Sequence, residues 1–457
     1  VIVIKFGGTS VGDADRVANA IDIVAERRHL KPIVVVSALA GVTNDLVAAT
    51  EAARAQDAAR VDAIVDAIRQ RHEDVAMQLV QQKFDFFDSF LKQLQKQIEQ
   101  IHTILRGIAL LGEVTARAKD KVVAIGEKLS SVLFAYSMMM RSLPGEHVES
   151  EQVVITDSHF GEASPLMDRT REAARRVLLP LVERNLIPVM GGFIGRSAED
   201  GATTTLGRGG SDYSAAIVGA AVAADEIQIW TDVDGMMTCD PRLIPAARVI
   251  ERISYVEAAE LAWFGAKVLH PKTIAPAVDQ KIPVRVLNTH NVASLGTLVT
   301  AEGDTRDHGP RAIAVKKGIT VIHMTSNAML GASGFLARLF AIFEKSAVSV
   351  DLITTSEVSV SVTIDEPHAV LEKALQPIAA VEVIEKQCIV AVVGRNLMGD
   401  SEVGARIFEA LRGIPISMFS LGKSGLNLSI VVDDRDADRA VTAIHRVLFE
   451  LPVPVNG

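Results

Sequence analysis

The chain has 457 residues, 49% hydrophobic and 23% charged, which is enough for large cores and two to four domains. A net charge of −9 excludes a nucleic-acid scaffold, whose contacts need clustered Lys and Arg. Two cysteines, Cys239 and Cys388, are too few for a disulfide framework or a metal cluster and fit a reducing cytoplasm; no uncharged apolar run is long enough to span a bilayer.

The first fifty residues read as strand, glycine turn, helix, strand, glycine turn. Val1 to Phe6 is an apolar strand interrupted by Lys5, followed by Gly7-Gly8-Thr9-Ser10 and a helix from about Asp13 to Arg28. Pro32 to Ser37 is the next strand, and it runs into Ala38 to Asn44. Strands apolar on both faces and separated by helices imply a mostly parallel sheet, in which ligands gather at the carboxyl ends. A Lys inside such a strand is costly unless paired or solvated, so Lys5 is expected to face a site.

Residues 51–118 read as helical, with apolar positions such as Val61, Ile64, Val65, Ile68, Leu94, Ile98, Ile101 and Leu105 at helical spacing. This is expected to be a structural hairpin against the sheet, with Phe84-Asp85-Phe86-Phe87 at its packed corner. Val122 to Ile125 reads as a short segment ahead of Gly126-Glu127-Lys128 and a helix through Met140. That reading makes Glu127 a first-turn partner of the helix dipole. Further strands are expected at Glu151 to Ile155, Ile187 to Gly191, Glu226 to Thr231 and Val284 to Leu287.

Between them, Thr203-Thr204-Thr205-Leu206-Gly207-Arg208-Gly209-Gly210-Ser211-Asp212 runs into an apolar helix pattern. Three glycines in four residues let the main chain approach a ligand, and the free N–H groups of the helix start suit an anion. Arg208 offers a fork of donors for a carboxylate or phosphate, and Asp212 can orient a cation. The strand ending at Thr231-Asp232-Val233-Asp234-Gly235 gives another polar rim, Asp240-Pro241-Arg242 is turn chemistry, and Phe264 to Pro271, including Lys267, closes a helix.

Gly303 to Pro310 reads as a boundary. Beyond it a β-α-β-β-α-β order occurs twice with a period of roughly 65–70 residues, suggesting two ferredoxin-like modules. The helices are expected at Phe335 to Lys345, Ala369 to Ile378, Val403 to Leu411 and Asp436 to Phe449.

Two motifs are decoys. Gly422-Lys423-Ser424 resembles the end of a phosphate-binding loop, but Ser417 stands where that loop needs glycine. His72-Glu73 lacks the second His of a zinc helix, and no grouping has metal-ligand spacing, so any metal is expected to arrive with a substrate as magnesium on nucleotide phosphates. The strand-end clusters that remain supply cations and amide donors, which is what phosphoryl transfer needs.

Lys5-Phe6-Gly7-Gly8-Thr9-Ser10, Thr203 to Tyr213, Trp230 to Gly235 and Phe264 to Pro271 together resemble the aspartate kinases. The resemblance covers essentially the whole chain. It implies an α/β protein: an amino-acid kinase fold with a mostly parallel central sheet between helices, plus two ferredoxin-like ACT modules of α+β type. The implied boundaries are a catalytic domain at 1–303 with the insertion at 51–118, a first ACT module at 310–393 and a second at 394–457. The strand in 311–325 is allowed to belong to the second module.

The resemblance further implies transfer of phosphate from ATP, carried with Mg2+, to L-aspartate. Lys5 with Gly8 and Asp212 would be catalytic, and Ser37, Thr43, Glu127 and Arg208 would bind aspartate. Lys5, Gly7, Gly8, Ser10, Thr231, Asp232, Arg242 and Lys267 would hold the nucleotide. Val350 to Glu357 looks most like the lysine-inhibited branch, with Met329, Ser349, Val350, Asp351, Thr355 and Glu357 as the inhibitor pocket. A cytoplasmic homodimer or larger oligomer, joined through the ACT modules and binding neither nucleic acid nor membrane, is expected. The rivals are an amino-acid kinase acting on glutamate, acetylglutamate or UMP, the kinase half of a bifunctional enzyme, and a non-catalytic amino-acid sensor.

Overall fold

A computed structural model of the chain describes residues 1–80, 84–265, 269–304, 309–397, 399, 401–422 and 424–451, with residues 80 and 84–86 described by backbone alone. It divides into two compact units, Val1–Gly235 with Leu269–Gly303, and Met236–Val268 with Asp304–Gly457.

In the first unit the elements are β1 (Ile2–Phe6), α1 (Ala14–Glu26), β2 (Pro32–Val36), α2 (Val42–Arg54), α3 (Ala58–Val80), α4 (Phe84–Leu111), α5 (Ala116–Met140), β3 (Gly145–His147), β4 (Ile155–Thr156), α6 (Met167–Glu183), β5 (Ile187–Gly191), β6 (Ile194–Ser197), β7 (Thr203–Thr205), α7 (Gly210–Val222) and β8 (Glu226–Thr231). Strands Val284–Asn288 and Thr297–Thr300 follow. The main sheet has the order β3-β5-β2-β1-β8, then Val284–Asn288 and Thr297–Thr300. Every pairing up to Val284–Asn288 is parallel. Thr297–Thr300 runs antiparallel to its neighbour Val284–Asn288. β1 lies centrally, with Lys5 opposite Val35 on one side and Ile229 on the other. Both faces are covered, so β1 and β2 are buried at every position, as the unbroken apolar runs require. A small sheet, β4-β6-β7, stands beside it.

Asp13 caps α1 by accepting from the Arg16 N–H, ending the loop that follows Ser10. In the insertion, Val65 and Ile68 of α3 and Leu94, Ile98, Ile101 and Leu105 of α4 are buried in the same core as β1, β2 and α5. Fully burying one such side chain is worth about 1.5–3 kcal/mol, so the insertion is part of the unit's stability. Phe87 packs against that core; the side chains of Phe84, Asp85 and Phe86 lie outside the described residues.

Two sequence expectations change. The strand expected at Glu151 to Ile155 is a 3-10 turn, Ser150–Gln152, followed by the two-residue strand β4. Residues 122–140 do not form a segment and a separate helix: α5 runs unbroken from Ala116, capped by Thr115. Gly126 is an interior residue of that helix, because a Cβ there would lie 2.9 Å from Ala38 Cβ; the glycine makes room and does not break the helix. α5 is also long and apolar enough to cross a membrane by length and composition, but most of its apolar stretch is buried inside the unit.

The second unit carries an antiparallel sheet in the order Ile353–Thr355, Ser359–Ile364, Gly309–Thr325, Ala380–Arg395, Asn427–Asp433, Met418–Leu421. The two central strands run through both halves. Thr320–Thr325 pairs with Ser359–Ile364, whereas Gly309–Lys316 pairs with Ile389–Arg395, whose other edge takes Asn427–Asp433. Helices Phe335–Lys345 and Ala369–Leu375 cover one core, and Ser401–Ala410 and Ala437–His445 cover another. Gly422 and Ser424 sit in the connection between Met418–Leu421 and Asn427–Asp433, a hairpin and not a strand-to-helix turn; Lys423 lies outside the described residues.

Candidate active site

Three parallel strands end together and set the floor of the site. After β1, the Gly7 N–H donates to the Trp230 carbonyl (3.2 Å), and after β2 the Ser37 N–H donates to the Phe6 carbonyl (3.1 Å). A Cβ on Gly8 would come within 3.1 Å of the Ala38 carbonyl oxygen, so glycine lets the two strand-end turns lie against one another. The turns open on a cavity of about 520 Å3 that brings together Lys5, Gly8, Ser37, Thr43, Glu127, Arg208 and Asp212, residues from four separate stretches of sequence.

Lys5 is 8% exposed, and its Nζ pairs with Asp212 Oδ1 at 2.5 Å. An ammonium has three donors, so one carboxylate leaves Lys5 able to serve an anion in the cavity. Asp212 belongs to the first turn of α7, whose N-cap is Gly209. Gly207 and Gly209 have φ of 76° and 70°, a region that only glycine enters without strain. Thr205 and Leu206, which lead into that pair of bends, are buried, whereas Arg208 is exposed on the rim. Ser211 stands so close to Gly192 that a Cβ there would lie 2.6 Å from its own. The positive end of α7 therefore faces the cavity along a main chain stripped of side chains.

Glu127 is not in a first turn. It sits in the interior of α5, 4% exposed, with Oε2 buried and without a hydrogen-bond partner. A Cβ on Gly191 would come within 3.0 Å of Glu127, so the end of β5 is pressed against it. Burial pushes the Glu127 carboxyl up to about 8, with the Ala38 N–H pulling the other way. A buried carboxyl of this kind is a receptor for a cation.

The remaining nucleotide-side residues are more dispersed. Ser10 is buried, with its hydroxyl 3.4 Å from the Trp230 carbonyl and 3.3 Å from Thr289 Oγ1, so it braces β8 and does not line the cavity. Thr231 and Asp232 stand at the end of β8, where the Thr231 carbonyl accepts from Thr289 N–H and Oγ1 (2.9 and 3.0 Å) and the Thr231 hydroxyl meets Asp232 (3.2 Å). Arg242, in the second unit, is exposed and held by Asp240 at 2.6 Å. Lys267 lies outside the described residues.

The effector-like residues all fall in one half of the second unit. Met329 ends the short helix Asn327–Met329, Ser349 to Asp351 follow the helix Phe335–Lys345, Thr355 ends its strand and Glu357 lies in the turn beyond. Met329 and Val350 pack against the same core. Asp351 pairs with Lys316 Nζ at 2.8 Å, and the same Nζ reaches Asp365 at 2.5 Å. Burial pushes the Asp351 carboxyl up while Lys316 pulls it down. Ser349, Thr355 and Glu357 are exposed.

Sequence reasoning missed several contributors. Phe193 lines the cavity after Gly191-Gly192, a strand-end glycine pair of the same pattern as Gly7-Gly8. Asn288 and Asn291 both donate to Asp234 (2.8 and 3.0 Å), and the polar run after Leu287 was the available signal. Lys316 carried no signal, because an alternating strand in a solvated sheet holds many lysines. Among the described residues no group of three His, Cys, Asp or Glu could hold a metal ion.

The model of the amino acid kinase family matches residues 1–288, and that of the ACT domain matches 322–380 and 390–448. The lysine-sensitive aspartokinase 3 of Escherichia coli is 38% identical, covering 98% of this chain and 99% of its own. Two crystal structures of E. coli aspartokinase III superpose with a TM-score of 0.83 over 98% of this chain and 100% of theirs. One is a complex with lysine and aspartate in the T-state (37% identical), the other with aspartate and ADP in the R-state (36% identical).

Proposed function

The chain belongs to the amino acid kinase family and, within it, to the aspartokinases, and from that premise we propose how its residues move a phosphoryl group. The reaction is that of an aspartate kinase: ATP and L-aspartate give ADP and 4-phospho-L-aspartate, the entry to lysine, threonine and methionine synthesis, under feedback by lysine. The observation that carries the assignment of roles is the Lys5–Asp212 pair at 2.5 Å in the floor of a cavity that also holds Glu127 and Arg208.

The acceptor, the side-chain carboxylate of aspartate, is already ionised at pH 7. No general base is needed, and the work falls to positioning and charge neutralisation. Lys5 neutralises the transferring phosphoryl group and the amides of Gly7 to Ser10 cradle it. Asp212 holds the Lys5 ammonium in place. Arg208 grips the α-carboxylate, buried Glu127 takes the α-ammonium, and Ser37 and Thr43 complete the aspartate pocket. On the nucleotide side the roles fall to Thr231, Asp232, Arg242 and Lys267. Magnesium, when bound, would screen the phosphate charge and would come with the nucleotide: the cavity's carboxylates are Asp212, beside Lys5, and Glu127, and among the described residues no group of three could hold a metal ion by itself.

In the second unit the half-buried Asp351, with Met329, Ser349, Val350, Thr355 and Glu357, binds the inhibitory lysine. The exposure of Ser349, Thr355 and Glu357 in a single chain supports completion of that pocket by a second copy in a homodimer. The two buried thiols, Cys239 and Cys388, accord with a cytoplasmic setting. ADP release assayed with aspartate, glutamate, acetylglutamate and UMP tests the reading. Turnover with aspartate is expected, and turnover confined to any other acceptor overturns it.

A further inference from the structure

Asp120 takes no part in the reading above, and its surroundings are unusual. It is 2% exposed, two turns before Glu127 on α5, and so on the same side of that helix. Its Oδ2 accepts from the Thr205 N–H and the Gly161 N–H, each at 2.9 Å, and its Oδ1 accepts from the Thr205 hydroxyl at 2.8 Å. Burial pushes this carboxyl up, and the Gly161 and Thr205 donors pull it back. Its partners are backbone N–H groups and a hydroxyl, which fix a direction in space more tightly than a flexible cation does.

The strand it holds is β7. The other end of β7 is tied to α5 as well: Thr203 Oγ1 donates to Glu151 Oε1 (3.2 Å), and Glu151 pairs with Lys128 of α5 at 2.5 Å. One helix thus carries Glu127 and anchors both ends of the strand that leads, through Leu206 and Gly207, to Arg208. Gly207 is packed against the Gly161 segment that Asp120 also holds, with the Gly161 carbonyl 3.3 Å and Glu162 Cγ 3.1 Å from where its Cβ would be.

We infer that Asp120 is a positioning residue for the amino-acid substrate: by pinning Thr205 and Gly161 to α5 it fixes the separation between Glu127 and Arg208, and with it the length of the amino acid accepted. The inference rests on the assignment of Glu127 and Arg208 to the two ends of aspartate. The nucleotide-side strand ends, built on β1 and β8, do not pass through this clamp, so the consequence is confined to one substrate.

The test is steady-state ADP release by the full chain carrying D120N, T205V, D120N with T205V, and T205S, with E127Q and R208K alongside. D120N and T205V each raise KM for aspartate about tenfold and leave KM for ATP within twofold, the effect of leaving buried donors badly paired next to one subsite. The double variant is no worse than D120N alone, since both remove the same link, and T205S, which keeps the hydroxyl, retains the parent KM. The ratio of kcat/KM for aspartate over glutamate falls in D120N. Should D120N fail to fold, the near-isosteric T205V and its T205S counterpart carry the test.

Equal rises in both KM values, or a fall in kcat with both unchanged, overturn the inference by marking Asp120 as a general packing residue. E127Q and R208K raising KM for aspartate while D120N and T205V leave it unmoved overturns it alone, with the substrate assignment intact. E127Q and R208K leaving that KM unmoved removes the assignment and the inference together.

Discussion

Two lysine–aspartate pairs, one in each unit, are built from the same groups in opposite balance. Lys5 and Asp212 meet at 2.5 Å, one cation to one anion, beside the rim guanidinium of Arg208 and the start of α7. Lys316 serves two carboxylates, Asp351 at 2.8 Å and Asp365 at 2.5 Å. The first cluster, with Arg208, carries a net positive charge and suits phosphate; the second is left with a net negative charge and suits an ammonium. The first is sunk in the middle of a parallel sheet, where position is fixed by burial on both faces. The second lies at the side of an antiparallel sheet next to an exposed Asp365, where a ligand can compete with the internal cation.

The most forceful way to break the comparison is Lys5→Ala. It should lower kcat by at least about a thousandfold, roughly 4 kcal/mol, because the charge it neutralises develops in a water-poor site. Calorimetric lysine binding should be unchanged. A loss below tenfold would mean that the buried pair is scaffolding.

Glu127→Gln comes next, with KM for aspartate rising about 10- to 100-fold through loss of a charge-assisted contact. Because burial raises Glu127 to about 8, the empty parent site is mostly neutral at pH 7. Its KM for aspartate should fall about tenfold per pH unit on approach to pH 8, a slope absent from the variant. The linkage to stability has the opposite sense. The native protein keeps a proton that the unfolded chain sheds near the ordinary value of 4.5. That contribution is complete below pH 4.5 and is lost as pH rises through about 8. Thermal melting at pH 5 and pH 8 should therefore show the Gln variant gaining on the parent at the higher pH.

Lys316→Met probes the other pair. Freed of its internal cation, Asp351 should accept the effector ammonium more readily, so the lysine concentration for half inhibition drops about three- to tenfold. Uninhibited turnover should stay within twofold. A rise in that concentration would show that Lys316 builds the pocket and does not compete for it. The mildest change is Asp433→Asn. Arg435 holds that carboxyl near 2, yet the pair lies at the surface with Arg435 exposed, so differential scanning should detect no shift in melting.

The parallel sheet and its rims were legible in the sequence because β1, β2, β5 and β8 are short, mostly apolar runs stopped by glycine or a polar residue. The same punctuation misled at Gly126. A glycine that clears space for Ala38 looks like one that ends a helix, and only the three-dimensional neighbour tells them apart. Ser10 stands just past the end of β1, but its hydroxyl faces Trp230 and not the cavity, since periodicity in a turn says nothing about direction. Asp120 and Thr205 are 85 residues apart, and Lys316 and Asp351 are 35 apart. Such pairings have no local period, so a single sequence leaves them silent.

The long strands Gly309–Thr325 and Ala380–Arg395 have a mechanical consequence. Each lends one end to one half of the regulatory sheet and the other end to the other half, like two rails running under both carriages. Neither half can fray without stripping hydrogen bonds from its neighbour, so the pair should melt and exchange amide protons as one body. A chain cut between the halves leaves two incomplete sheets in place of two working sensors.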